Sequence, residues 1–122
     1  MHILIVDDSR IMRQIVKRTL NQAGFDSAQY SEAADGYEAL EIFKNNKPDI
    51  ILSDWNMPNM DGLSLLQEVR KSDSDIPFGL ITAQSTASLR ESARYHGAHF
   101  LLSKPFTPES LGTAVNAVLT SE

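Results

Sequence analysis

Short apolar runs alternate along this chain with amphipathic stretches of helix length, and four of the runs end in residues suited to phosphate or metal chemistry. HILIV runs into Asp7-Asp8, DIILS into Asp54, FGLI into Thr82, and HFLLS into Lys104-Pro105. Apolar runs separated in this way are the pattern of βαβ units. The strands of such a sheet are parallel, so their C-terminal ends share one edge, where open α/β proteins bind ligands. The pattern predicts a doubly wound, five-stranded parallel sheet with helices on both faces. It also predicts that three carboxylates, a hydroxyl and an ammonium face a single crevice.

The stretches between the runs carry helix signals. Ser9 is placed to cap a first helix in which Ile11, Met12, Ile15, Val16, Thr19, Leu20 and Ala23 recur at helical spacing until Gly24, with Arg10, Arg13, Lys17 and Arg18 mostly on the other side. A weaker strand is expected around residues 26–30, then a helix over residues 36–46 turning Ala39, Leu40 and Phe43 inward. Ile50, Ile51 and Leu52 read as a central strand covered on both faces. Asp61-Gly62 opens a helix with Leu63, Leu65, Leu66 and Val69. The stretch over residues 86–95 is the poorest in apolar residues, with Leu89 and Ala93 as its inward candidates. Thr107 and Pro108 begin a last helix striped by Leu111, Val115, Val118 and Leu119.

At 122 residues the chain matches one domain of ordinary size, read as residues 1–122 with no output domain. It has no cysteine, which excludes a disulfide framework or a thiolate metal site. No signal sequence or long apolar span is visible, so a soluble cytoplasmic protein without membrane insertion is expected. A net charge of -5 argues against a direct nucleic-acid binder, since a phosphate backbone rewards clustered Lys and Arg. His2, His96 and His99 are scattered, and no H-x-x-x-H pair lies near the acids, which argues against zinc.

Taken singly, the strand-end residues have plain structural explanations. Asp7-Asp8 suits a helix cap, Thr82 is common in strands, and Lys104-Pro105 fits a strand exit. Asp54 is odder, because a carboxylate at the end of an apolar run is expensive to bury. Capping alone gives no reason for three acids and a lysine to share one edge. Carboxylate oxygens with no soft ligand suit Mg²⁺, which keeps several waters and offers sites to a phosphate. Phosphoryl transfer needs an in-line nucleophile and positive charge around the phosphoryl oxygens. Asp54 can attack, while Mg²⁺, Lys104 and the Thr82 hydroxyl stabilise those oxygens. Crowding three acids should also raise their pKa values, so Asp7→Asn or Asp8→Asn is expected to stabilise the metal-free protein.

The segments ILIVDDSRIMRQIV, EAADGYEAL, PDIILSDWNMPNMDG, LITAQ and GAHFLLSKPF resemble, in order and across essentially the whole chain, the receiver domain of two-component response regulators of the CheY-like single-domain type. The resemblance implies strand order 2-1-3-4-5. It implies that Asp54 accepts a phosphoryl group from the phosphohistidine of a sensor histidine kinase or a histidine phosphotransfer protein. Asp8, Asp54 and the backbone carbonyl of Asn56 would hold Mg²⁺, with Asp7 acting largely through water. Thr82 would move toward the acyl phosphate and Lys104 would bind a phosphoryl oxygen. A cis Lys104-Pro105 bond is implied as well.

Departures from the family pattern concern output. Leu101 stands where the family usually has Tyr or Phe, and Phe100, one position earlier, should face the other side of its strand. Gly79 replaces a bulky apolar residue, which points to close helix approach or a weakened strand. The face formed by helix 4, strand 5 and helix 5 carries Arg90, Arg94, Leu101 and Ser103 and is the expected docking face for an output protein. The chain is expected to be a monomer, or a dimer on phosphorylation. It reads as a signalling switch that catalyses only its own phosphorylation and dephosphorylation, in chemotaxis or as a phosphorelay shuttle. A Mg²⁺-dependent aspartyl-phosphate phosphatase is the enzymatic alternative. It is weakened by Asn56, which stands where such enzymes place a second acid, and by the lack of length for a cap domain. A receiver-like domain that is never phosphorylated is disfavoured by the complete set of chemical residues.

Overall fold

The computed structural model describes residues 1–120. Five parallel strands, β1 (His2–Val6), β2 (Gln29–Ala33), β3 (Ile50–Asp54), β4 (Phe78–Thr82) and β5 (Phe100–Ser103), pair in the order β2-β1-β3-β4-β5. Five α-helices connect or follow them: α1 (Arg10–Leu20), α2 (Gly36–Asn45), α3 (Gly62–Ser72), α4 (Ala87–Tyr95) and α5 (Pro108–Leu119). The three central strands are buried along their whole length, whereas β2 and β5 at the edges are only partly covered. Continuous apolar runs mark strands buried on both faces, and the expected doubly wound architecture is the observed one.

Alternation along the strands feeds two cores. Leu4, Val6, Ile51, Phe78 and Leu80 pack with α2, α3 and α4 through Ala39, Phe43, Leu65, Leu66, Val69 and Ala93. Ile3, Ile5, Ile50, Leu52 and Ile81 pack with α1 and α5 through Val16, Leu20, Leu111 and Val115. Every α-helix opens on a side-chain cap. Ser9, Asp35, Asp61, Thr86 and Thr107 each accept a hydrogen bond from the amide three residues on. Each cap is worth about 1 kcal/mol and fixes where a helix leaves its strand-end loop.

The sequence reading is corrected in three places. The second strand lies at residues 29–33 rather than 26–30, because α1 ends in a wide π-type turn, Asn21–Phe25, with Gly24 at φ 106°. The chain therefore needs three more residues to reach the sheet. Ile11 and Ile15 do not join the core. They are 74% and 38% exposed, and the buried stripe of α1 is Val16, Thr19 and Leu20. Gly79 reflects neither a close helix nor a weak strand, since β4 pairs fully with both neighbours. Its missing side chain is replaced by the ring of Phe100, its partner across the β4–β5 ladder, which lies where a Cβ would stand.

Phe100 joins the core facing α1 and α5, while Leu101 packs on the α2, α3 and α4 side, as strand alternation requires. Adding a methyl at Gly79 must displace this ring. Gly79→Ala should destabilise the protein by about 1–3 kcal/mol, and Phe100→Leu in the same chain should restore part of that loss. Denaturant midpoints of the single and double variants check it; an unaffected Gly79→Ala protein would mean that the ring yields freely.

Candidate functional site

The strand ends deliver their side chains to one edge. β1 leads directly into Asp7 and Asp8, β3 ends at Asp54, β4 at Thr82, and Lys104 follows the last residue of β5. Carboxylate oxygens of Asp7, Asp8 and Asp54 all lie within 4.8 Å of one another. Asp54 and Asp7 are only 7% and 4% exposed, whereas Asp8 is open to solvent. Lys104 Nζ sits 2.8 Å from Asp54 Oδ1 and 3.9 Å from Asp7 Oδ2. The Lys104-Pro105 peptide is cis, as expected. Thr82 is 2% exposed, and its hydroxyl accepts a hydrogen bond from the Gln84 amide at 3.2 Å.

Local packing holds this edge in place. The Asp7 amide donates to Ala33 O at 3.1 Å, and Asp7 Oδ1 accepts from the Ser9 amide at 2.9 Å, tying the acid to β2 and to the start of α1. The Gly62 amide donates to Trp55 O at 2.8 Å, and a side chain on Gly62 would collide with the Asp54 carbonyl. Gly62 thus lets α3 begin directly against the end of β3, which folds the intervening loop back beside Asp54. Asn56 lies exposed at the start of that loop. The histidines are engaged elsewhere: His2 with Ser31, His96 with Ser92 O, and His99 as acceptor of the Phe78 amide.

Three acids and one lysine leave the cluster short of positive charge. Hard oxygen donors that converge this closely, one of them open to water, fit a divalent cation such as Mg²⁺. Among the described residues these three aspartates are the group of acidic or imidazole side chains placed to hold a metal ion together.

One contributor to the site was missed in the sequence. Arg13, read as part of a solvated face of α1, turns back and donates to Asp7 O at 2.7 Å. Arg13 lies three residues before Val16 and seven before Leu20, on the flank of the stripe that α1 buries, so its guanidinium can reach β2 and the end of β1. The nearby Arg-x-x-Arg spacing offered no signal to separate Arg13 from Arg10.

A five-stranded 2-1-3-4-5 sheet with an acid cluster and a lysine at its C-terminal edge belongs to the doubly wound α/β class, which binds its ligands at that edge. The chain belongs to the response regulator receiver domain family, whose pattern it matches over residues 3–116. It is 38% identical over 122 residues to a chemotaxis protein CheY homolog of Campylobacter jejuni, covering 98% of this chain and 92% of the relative. It is 39% identical over 117 residues to a probable transcriptional regulator, ycf27, of Porphyridium aerugineum, covering 96% of this chain and 47% of that protein. The chain thus spans about half the length of some of its relatives and nearly all of others. The structure of the chemotaxis response regulator CheY4 of Vibrio cholerae superimposes with a TM-score of 0.86 at 36% identity, covering 97% of this chain and 98% of that one. No helix among the described residues is long and apolar enough to cross a membrane.

Burial raises the Asp7 carboxyl above its ordinary pKa; the Ser9 amide opposes this, and the charge of Asp54 adds to it. At Asp7 burial therefore comes before the crowding that the sequence pointed to. A carboxyl that binds its proton more tightly when folded than when unfolded adds stability at low pH and loses it as pH rises through the folded-state value. The metal-free protein should therefore lose that contribution as pH rises above the ordinary aspartate range. Asp7→Asn, which keeps an oxygen for the Ser9 amide, should remove this slope and stabilise the metal-free protein at neutral pH by on the order of 1 kcal/mol. It should also weaken Mg²⁺ binding. Urea midpoints at acidic and neutral pH, with and without Mg²⁺, decide the matter; a less stable metal-free variant at neutral pH would refute it.

Proposed function

We propose that this receiver domain is a phosphorylation-activated switch of a two-component system, with Asp54 as phosphoacceptor and Asp7, Asp8, Asp54 and the Asn56 carbonyl forming its Mg²⁺ site. The observation that carries this reading is the 2.8 Å approach of Lys104 to Asp54 inside a cluster of three carboxylates. When bound, Mg²⁺ supplies positive charge to the incoming phosphoryl oxygens. An Asp54 carboxylate oxygen attacks phosphorus in line; the new P–O bond forms as the P–N bond to the donor histidine breaks, and the imidazole leaves. Lys104 gives up its contact with Asp54 and takes a phosphoryl oxygen. The Thr82 hydroxyl donates to another. Attack of water on the acyl phosphate later returns free Asp54, so the domain catalyses only its own loading and unloading.

The donor is a sensor histidine kinase or a histidine phosphotransfer protein. Exposed Ile11 and Ile15, with Met12, Pro105 and Phe106, form an apolar rim beside the crevice that suits the face of a donor helix. Output runs through the face formed by α4, β5 and α5, where Arg90, Arg94 and Leu101 line a shallow groove. The likeness to chemotaxis regulators over nearly their full length favours chemotaxis, with a phosphorelay shuttle as the second reading. The phosphatase reading gains nothing from the site, whose other acids follow the end of β1 rather than standing two residues past Asp54.

Incubation with acetyl phosphate and Mg²⁺ should add one phosphoryl group by intact-mass spectrometry, and Asp54→Asn should abolish it. An adduct retained in that variant would sink the assignment. α4 is the element through which the switch should read out, because Ala93 is its one fully buried residue and Leu89 is only partly covered. Movement of Thr82 toward the site shifts the loop that follows and biases this weakly held helix. Hydrogen exchange with and without beryllofluoride should change most over residues 83–101; a change confined to residues 54–61 would contradict this.

A further inference from the structure

Arg13 lies one turn into α1, between Arg10 and Gln14, which are exposed. Its guanidinium bridges two other elements. Nε donates to Glu32 Oε1 of β2 at 2.9 Å, and a terminal nitrogen donates to Asp7 O at 2.7 Å. Gln14 Nε2 donates to both Glu32 oxygens at 3.2 Å, so the carboxylate is gripped from two positions on α1. Arg13 holds the Glu32 carboxyl below the usual carboxylate range, which keeps it ionised at neutral pH.

The carbonyl that Arg13 holds belongs to the peptide joining the two β1 acids. On the amide side, Asp7 is fixed by Ala33 O, and its carboxylate is fixed by the Ser9 amide. Holding the carbonyl settles the remaining freedom, the rotation of the Asp7–Asp8 peptide plane. That plane sets the direction in which the Asp8 side chain leaves the backbone, and Asp8 is the solvent-exposed member of the cluster. We propose that Arg13, braced by Glu32, is a positioning residue that aims the Asp7 and Asp8 carboxylates at the divalent cation they share with Asp54. This rests on the Mg²⁺ reading of the site given above.

Coulomb attraction and geometry make opposite forecasts, which gives the test its power. Removing a positive charge beside an acidic cluster should tighten cation binding by electrostatics alone, whereas loss of the brace should weaken it. The experiment is Mg²⁺ titration followed by the fluorescence of Trp55, the residue after Asp54, with metal-free thermal unfolding measured in parallel. Arg13→Met should bind Mg²⁺ about tenfold more weakly, in the range typical of residues that orient metal ligands. Arg13→Lys keeps the charge without the two-point bridge and should also bind weakly. Glu32→Gln should weaken binding in the wild-type background, and adding it to Arg13→Met should cost nothing further.

A folded Arg13→Met protein that binds Mg²⁺ as tightly as the wild type, or more tightly, overturns the proposal, as does full binding by Arg13→Lys. If Arg13→Met does not fold, Glu32→Gln carries the same test: unchanged affinity overturns it. A wild-type chain that binds no Mg²⁺ overturns the reading of the site and the brace with it. A wild type that binds, beside variants of equal affinity, overturns the brace alone.

Discussion

The burial of two carboxylates beside a third at one sheet edge, with the repulsion this adds, is the constraint around which the rest of this structure is arranged. Two unit charges about 4 Å apart repel by about 4 kcal/mol at the effective dielectric of a protein surface, and here one lysine answers for three acids. Lys104 spends its short contact on Asp54 and reaches Asp7 only at 3.9 Å. The remaining charge must be borne by backbone amides, by a bound cation or by the stability of the scaffold. The acids accordingly stand at the ends of two strands buried along their whole length, β1 and β3, which have the packing to hold an edge that would otherwise spread. The tension is also useful. A site short of positive charge has a ready driving force for binding a divalent cation, and a buried carboxylate next to a mobile ammonium is poised to exchange that ammonium for a phosphoryl group.

How much of this was legible beforehand follows from what each signal measures. Runs such as Ile50, Ile51 and Leu52 state strand and burial together, because only a strand covered on both faces has use for consecutive apolar residues. The caps at Ser9 and Thr107 were equally readable, since their oxygens do chemistry fixed by local geometry. The strand ends then located the acid cluster. Failures came where a residue's role depends on what lies across space. The apolar period of α1 could not say that Ile11 and Ile15 stay exposed. Counting those two residues into the stripe turned Arg13 to the far side of the helix, whereas the buried stripe of Val16, Thr19 and Leu20 puts it on the near flank, within reach of Asp7 O. The second strand was misplaced because a turn built around Gly24 adds length that composition does not reveal.

Gly79 and Leu101 looked like two separate anomalies in the sequence and are neighbours in the fold. Gly79 pairs with Phe100 across the β4–β5 ladder, and the ring of Phe100 occupies the place of the absent side chain. The aromatic bulk expected at the α4 side of β5 is therefore found on the opposite side, set into the core shared with α1 and α5. Loss of a side chain on one strand and gain of a ring on its partner keep the volume of that layer nearly constant, which is the kind of change a close-packed interior accepts.

This relocation alters which parts of the molecule can respond to the site. The ring of Phe100 lies over Gly79 of the neighbouring strand and packs into the core shared with α1 and α5, away from α4. On the α4 side, Leu101 presents a small flexible side chain to a helix that buries little else, and an aliphatic contact of that kind tolerates sliding where a seated aromatic would resist it. Arg70 anchors the far end of the same region by donating to Gly97 O, Ile76 O and Asp73 O, which holds the turn before β5 against the end of α3. The segment from Thr82 to Gly97 is thus fixed at both ends, by the crevice at one and by Arg70 at the other, with a thinly packed helix between. Thr82 touches β5 directly, pairing with Ser103 and accepting from the Lys104 amide at 2.8 Å, so under the proposed phosphorylation a displacement there meets a hydrogen-bonded strand on one side and the thinly packed α4 on the other, and the helix is the neighbour with less to hold it.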